Sequence, residues 1–160
     1  MSKGAEGDTI FCDDIRIEVA SKLSLIGVYS GKLIAHGNFP FTLAKFGLLI
    51  TYSEPIDAYS GDIDIHIYLP GDAEIGEPAF KKTIPRSEIL KIPRPSSDTI
   101  EKEDVKLTVR MPLVMSPIVL REEGLIKVRA VCDGETIKLG TLRIEKAPVI
   151  QKIEALESEK

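Results

Sequence analysis

Residues 124–144 read GLIKVRAVCDGETIKLGTLRI, two runs of alternating apolar and polar residues joined by Asp133-Gly134. Ile126, Val128 and Ala130 fall on one parity and Lys127 and Arg129 on the other, which is the period of a half-buried strand. An Asp-Gly pair between two such runs is the strongest short-range hairpin signal, because both central residues of a type I′ turn need positive φ. Past the turn the inward parity moves by one residue, from Ile137 and Leu139 to Leu142 and Ile144. A bulge at Gly140 accounts for that shift.

The same period recurs along the chain. Residues 105–110 alternate Val105, Leu107 and Val109 with Lys106, Thr108 and Arg110, and residues 61–69 (GDIDIHIYL) alternate three isoleucines with Asp62, Asp64 and His66. Residues 46–52 (FGLLITY) are apolar on both parities, as a central strand covered on both faces requires. Residues 15–19 and 23–29 read as two strands joined at 20–22, and a turn at Ser30-Gly31 leads into another strand at 32–35. Pro85, Pro93 and Pro95 leave room for one turn of helix at 87–91. The predicted fold is all-β, an antiparallel β-sandwich that is immunoglobulin-like in general layout, with about seven to nine strands. The chain has no Trp for a central strand, and its two cysteines are not spaced as in antibody domains.

One domain is predicted over residues 1–147, followed by a charged C-terminal tail at 148–160, frayed or a short helix carrying Ile150, Ile153 and Leu156. At 160 residues the fold buries roughly 70% of the surface of its unfolded chain, enough to dispense with disulfides or a structural metal. A composition that is 43% hydrophobic and 29% charged excludes a disordered or collagenous chain. No apolar run approaches the roughly 18 residues of a membrane span, and residues 1–8 are polar rather than signal-like. A cytoplasmic location is therefore expected, with no membrane partner and with Cys12 and Cys132 as buried free thiols. They would meet only if the first and a late strand were neighbours across the core.

The net charge of −4 conceals a split. Residues 1–80 carry five basic and twelve acidic side chains, −7, and residues 81–160 carry sixteen and thirteen, +3. In the acidic half, Asp62, Asp64 and His66 occupy alternate strand positions about 6.5–7 Å apart, close enough to converge on one divalent ion. The competing reading is a solvent-facing polar stripe; Asp13 and Asp14 are the leading candidates for further carboxylate ligands, though their spacing in sequence does not place them beside the trio. In the basic half, Lys106, Arg110, Lys127, Arg129, Lys138 and Arg143 would share an outer face if the last strands pair, near Lys81, Lys82, Arg86, Lys91 and Arg94. Such a face could follow a phosphate backbone. It lacks aromatic residues for base stacking and is interleaved with acids, so nucleic acid is not the expected partner.

Catalysis has little support. His36 and His66 are the only histidines, neither lies in an HExxH context, and neither a GxSxG motif nor a glycine-rich phosphate loop is present. No catalytic residues and no cofactor are assigned. Without Trp, carbohydrate platforms are also disfavoured. The leading expectation is a non-catalytic interaction module that binds a protein partner or self-associates through an edge strand. A metal-binding or metal-dependent hydrolytic sandwich using Asp62, Asp64 and His66 comes second. A weak nucleic-acid binder through the basic face, with Lys106, Arg110, Lys127, Arg129 and Arg143, comes third.

Residues 11–31, FCDDIRIEVASKLSLIGVYSG, carry a more specific pattern. Together with Phe39-Pro40 and the late hairpin, they resemble the opening of a family of small bacterial and phage-associated proteins, a domain of unknown function. That resemblance implies an all-β module with no catalytic residues to transfer. The Asp-Asp and Gly-Val-Tyr elements of the pattern are either functional or, as bulge and tight packing positions, structural.

Overall fold

A computed structural model describes residues 4–56, 58, 61–92 and 105–149. Among them the first half forms β1 (Glu6–Cys12), β2 (Asp14–Ile17), β3 (Leu23–Ile26), β4 (Lys32–Ala35), β5 (Phe41–Leu43), β6 (Phe46–Pro55) and β7 (Ile63–Tyr68). There follow β8 (Phe80–Ile84), the helical turn α1 (Arg86–Ile89), β9 (Lys106–Met115), β10 (Ile118–Leu120), β11 (Gly124–Cys132) and β12 (Glu135–Lys146). None of the described helices is long and apolar enough to cross a membrane. The predicted tail from residue 150 on and the proline-rich stretch from residue 93 lie outside the described residues.

Two sheets enclose the core. The three-stranded sheet has the order β1-β6-β9 and is antiparallel throughout. The five-stranded sheet has the order β4-β12-β11-β7-β8, antiparallel except where β4 runs parallel to β12. In chain order, β1, β6 and β9 hold the places of strands A, B and E of an immunoglobulin-type sandwich, while β7, β8, β11 and β12 hold those of C, C′, F and G. The all-β sandwich expected from the alternation is thus present. The described residues form twelve strands, more than the predicted seven to nine, because the short pairs β2–β3 and β5–β10 lie outside the two main sheets, which hold eight.

The long strands bury the parities their sequences mark. Phe46, Leu48, Ile50 and Tyr52 of β6 face Ile63, Ile65 and Ile67 of β7 and Ile126, Val128 and Ala130 of β11 in one continuous core. Each large apolar side chain so buried contributes about 1.5–3 kcal/mol. Asp133 (φ 50°) and Gly134 (φ 78°) turn β11 into β12. Beyond the turn Val128 pairs with Gly140 and Arg129 with Lys138, so Leu139 is the extra residue of a bulge.

At the end of β6 a buried ion pair ties the sheets together. Glu54, 1% exposed, accepts the Tyr52 hydroxyl at 3.0 Å and pairs with Arg86 at the start of α1. The two thiols are buried and form no disulfide. Cys12 lies opposite Gly47, whereas Cys132 sits beside the Tyr52 hydroxyl, five residues further along β6. That interval is roughly 16 Å of strand, too far for a disulfide.

Candidate interaction surface

β9 is a ten-residue strand, KLTVRMPLVM, hydrogen-bonded to β6 along its whole length without a register shift. No strand among the described residues pairs with its other edge. Pro112, opposite Leu49, shows which groups face outward. A proline has no N–H to give the ladder, so its nitrogen points to the open side. Its even-numbered neighbours share that direction, and the edge therefore presents the N–H groups of Lys106, Thr108, Arg110 and Val114 with their carbonyls. Their side chains line the outer face, while Leu107, Val109, Met111, Leu113 and Met115 are half-buried against the core.

The hairpin β2–β3 folds back over this outer face. It springs from a corner at Asp13, whose N–H is bonded to the carbonyls of Ile26 and Gly27 and whose carboxylate accepts the Tyr29 hydroxyl. At its tip, Ala20 (φ 61°) and Ser21 (φ 57°) turn the chain within a single 3-10 turn at Val19–Ser21. The hairpin leaves Ile17 74% exposed and Val19 89% exposed. Between it and the sheet lies an open groove of about 690 Å³, with Ile17, Leu23, Leu25, Leu49 and Pro112 as its apolar wall. Lys22 and Arg110 also line it, and no acidic side chain does.

Asp62, Asp64 and His66 lie along one side of the β7 segment, but each is turned to a protein partner. Asp62 accepts the Arg86 N–H at 2.8 Å. Asp64 accepts the Thr83 hydroxyl and pairs with Lys81 at 2.9 Å, bonds that hold its carboxyl below the usual carboxylate range. His66 Nδ1 lies 3.2 Å from the Tyr68 hydroxyl, which donates to the Glu74 carbonyl. The His66 Nε2 is buried and has no hydrogen-bond partner among the described residues. Burial, and then Lys81, hold the His66 pKa below the ordinary value. Among the described residues no three His, Cys, Asp or Glu side chains are grouped to hold a metal ion. The alternation did place the trio on one row, but β8 brings Lys81 and Thr83 against that row where a metal reading needs further ligands.

The basic residues are divided rather than shared. Lys106 and Arg110 lie on the outer face of the three-stranded sheet, whereas Lys127, Arg129, Lys138 and Arg143 belong to the five-stranded sheet. The outer faces of a sandwich look in opposite directions. Arg129, 4% exposed, is held by Glu74 at 3.0 and 3.1 Å, and Lys127 meets the same carboxylate at 3.1 Å. These bonds hold Glu74 down at about 2. Arg143 lies 3.6 Å from Glu145, and Lys106 pairs with Glu6. Arg110 has no ion pair among the described residues.

Glu74 and the open edge escaped the sequence reading. Glu74 sits in an irregular loop between β7 and β8, where no periodicity marks it. A proline within an alternating run, as at Pro112, does signal an edge strand. No family model, curated protein or solved structure matches the chain.

Proposed function

We propose that this chain is a non-catalytic, cytoplasmic interaction module that engages a protein, or a second copy of itself, through β9. The observation that carries this reading is the ten-residue edge of β9, unpaired among the described residues, beside an apolar groove. Unpaired N–H and C=O groups in a row are a template for a further strand, and unprotected edges of this length are usually blunted or covered. Pro112 blunts this one at a single point. Two buried thiols held too far apart to form a disulfide suit a reducing compartment.

Capture with tagged full-length protein tests the proposal, run beside Arg110→Pro, which removes an outward donor that the β6 ladder does not use. The wild-type chain is expected to retain a stoichiometric protein partner or a second copy, and the variant to lose it while its stability stays within about 1 kcal/mol. Equal retention by the variant, or a wild-type monomer that captures nothing, would overturn the reading.

A further inference from the structure

We infer that the strand added to β9 comes from a different protein and alternates apolar with acidic residues. This rests on the edge-strand reading above and specifies its occupant. Along the outer face of β9 the charged side chains are Arg110, which has no ion pair among the described residues, and Lys106, which already pairs with Glu6 of β1; the groove adds Lys22, with no acid in its lining. A strand beside β9 brings its own outward side chains to within about 4.5–5.5 Å of these, where opposite charges stabilise and like charges destabilise. Its inward residues continue the half-buried row of Leu107, Val109 and Met111, which only apolar side chains extend without stranding a polar group. The two demands alternate with the period of a strand.

The same row argues against a second copy as occupant. Antiparallel addition of another β9 sets a row that carries Arg110 and no acid of its own against an identical one. Register is constrained as well. Pro112 offers a carbonyl but no N–H, so the continuous part of the ladder runs over Lys106, Thr108 and Arg110, the stretch that carries the Arg110 charge.

Three synthetic peptides of equal length test the inference against the full chain by fluorescence anisotropy. One alternates Val with Glu, one alternates Val with Lys, and the third repeats the Val/Glu sequence with alternate backbone nitrogens methylated. The Val/Glu peptide is expected to bind saturably, more weakly as salt is raised, and about tenfold more tightly than the Val/Lys peptide, with the preference inverted in Arg110→Glu. The methylated peptide keeps every side chain and is expected not to bind, since it cannot complete the ladder. Equal binding of the Val/Glu and Val/Lys peptides, or no binding of the Val/Glu peptide, would overturn the acidic partner. Undiminished binding of the methylated peptide would overturn strand addition. Concentration-dependent dimerisation abolished by Arg110→Pro would assign the edge to a second copy instead. The broader interaction reading is decided separately, by the capture experiment.

Discussion

At Gly27 the backbone adopts φ +66°, and a Cβ there would overlap the carboxylate of Asp13. Tyr29 closes the same corner, its hydroxyl donating to Asp13 and its N–H to the Phe11 carbonyl. The Asp-Asp and Gly-Val-Tyr elements thus have a packing role that their sequence alone leaves open. Gly27→Ala is expected to lower the unfolding free energy by about 1–3 kcal/mol, measured by urea titration. Glu54 is a second such residue. Truncating it to Ala leaves the Arg86 charge in a site from which water is largely excluded, and the expected loss is about 3–5 kcal/mol in the same measurement. His66 makes a prediction about pH. Its folded pKa lies below its unfolded value, so the unfolded chain takes up the proton first. The stability that comes from keeping this imidazole neutral is complete above the unfolded pKa and is lost as pH falls from there toward the folded pKa. Replacing His66 by Asn should flatten the pH dependence of stability in that window, and an unchanged slope would show that other groups carry it.

Among the elements, the β11–β12 hairpin was readable in nearly every detail because its determinants are local. Asp133-Gly134 supplies the turn, and the parity slip places the bulge at Leu139-Gly140. Gly140 has φ +155° and brings the strand against Thr9 of β1, so that a Cβ there would lie 3.1 Å from the Thr9 Cβ. Gly140→Ala is therefore expected to cost about 1–3 kcal/mol through strain and displacement of β1, seen as a lower midpoint in thermal unfolding. β1 itself was not legible. Its EGDTIFC sequence alternates weakly, and it is a strand because β6 offers a partner along all seven residues. β9 was recognised over residues 105–110 but extends to Met115, since Pro112 on an edge strand does not interrupt the ladder that holds it.

Over the whole molecule, the sandwich keeps Cys12 and Cys132 apart and buried. Burial, and then the neighbouring Asp13, raise the Cys12 pKa and so disfavour its reactive thiolate. Both thiols are expected to resist alkylation in the native protein and to react together on unfolding, followed by intact mass. Rapid native-state labelling of either would contradict their burial. The sandwich also turns the basic residues that look continuous in sequence to opposite outer faces. Lys127 and Arg129 become the anchor of the Glu74 loop, and Arg110 remains beside an open groove.

Alternation, the Asp-Gly turn and the scarcity of helical segments determined from sequence alone that this chain folds into antiparallel sheet around one apolar core. Those signals act between near neighbours and specify which side chains turn inward. Backbone hydrogen bonding is the same for every strand, so they do not specify which strand lies beside which. Only the tertiary structure decided that β9 ends a three-stranded sheet with one edge unpaired among the described residues, and that β8 brings Lys81 to the Asp64 row. It also decided that the β2–β3 hairpin overhangs Arg110, because each of these depends on residues distant in sequence meeting across the sandwich.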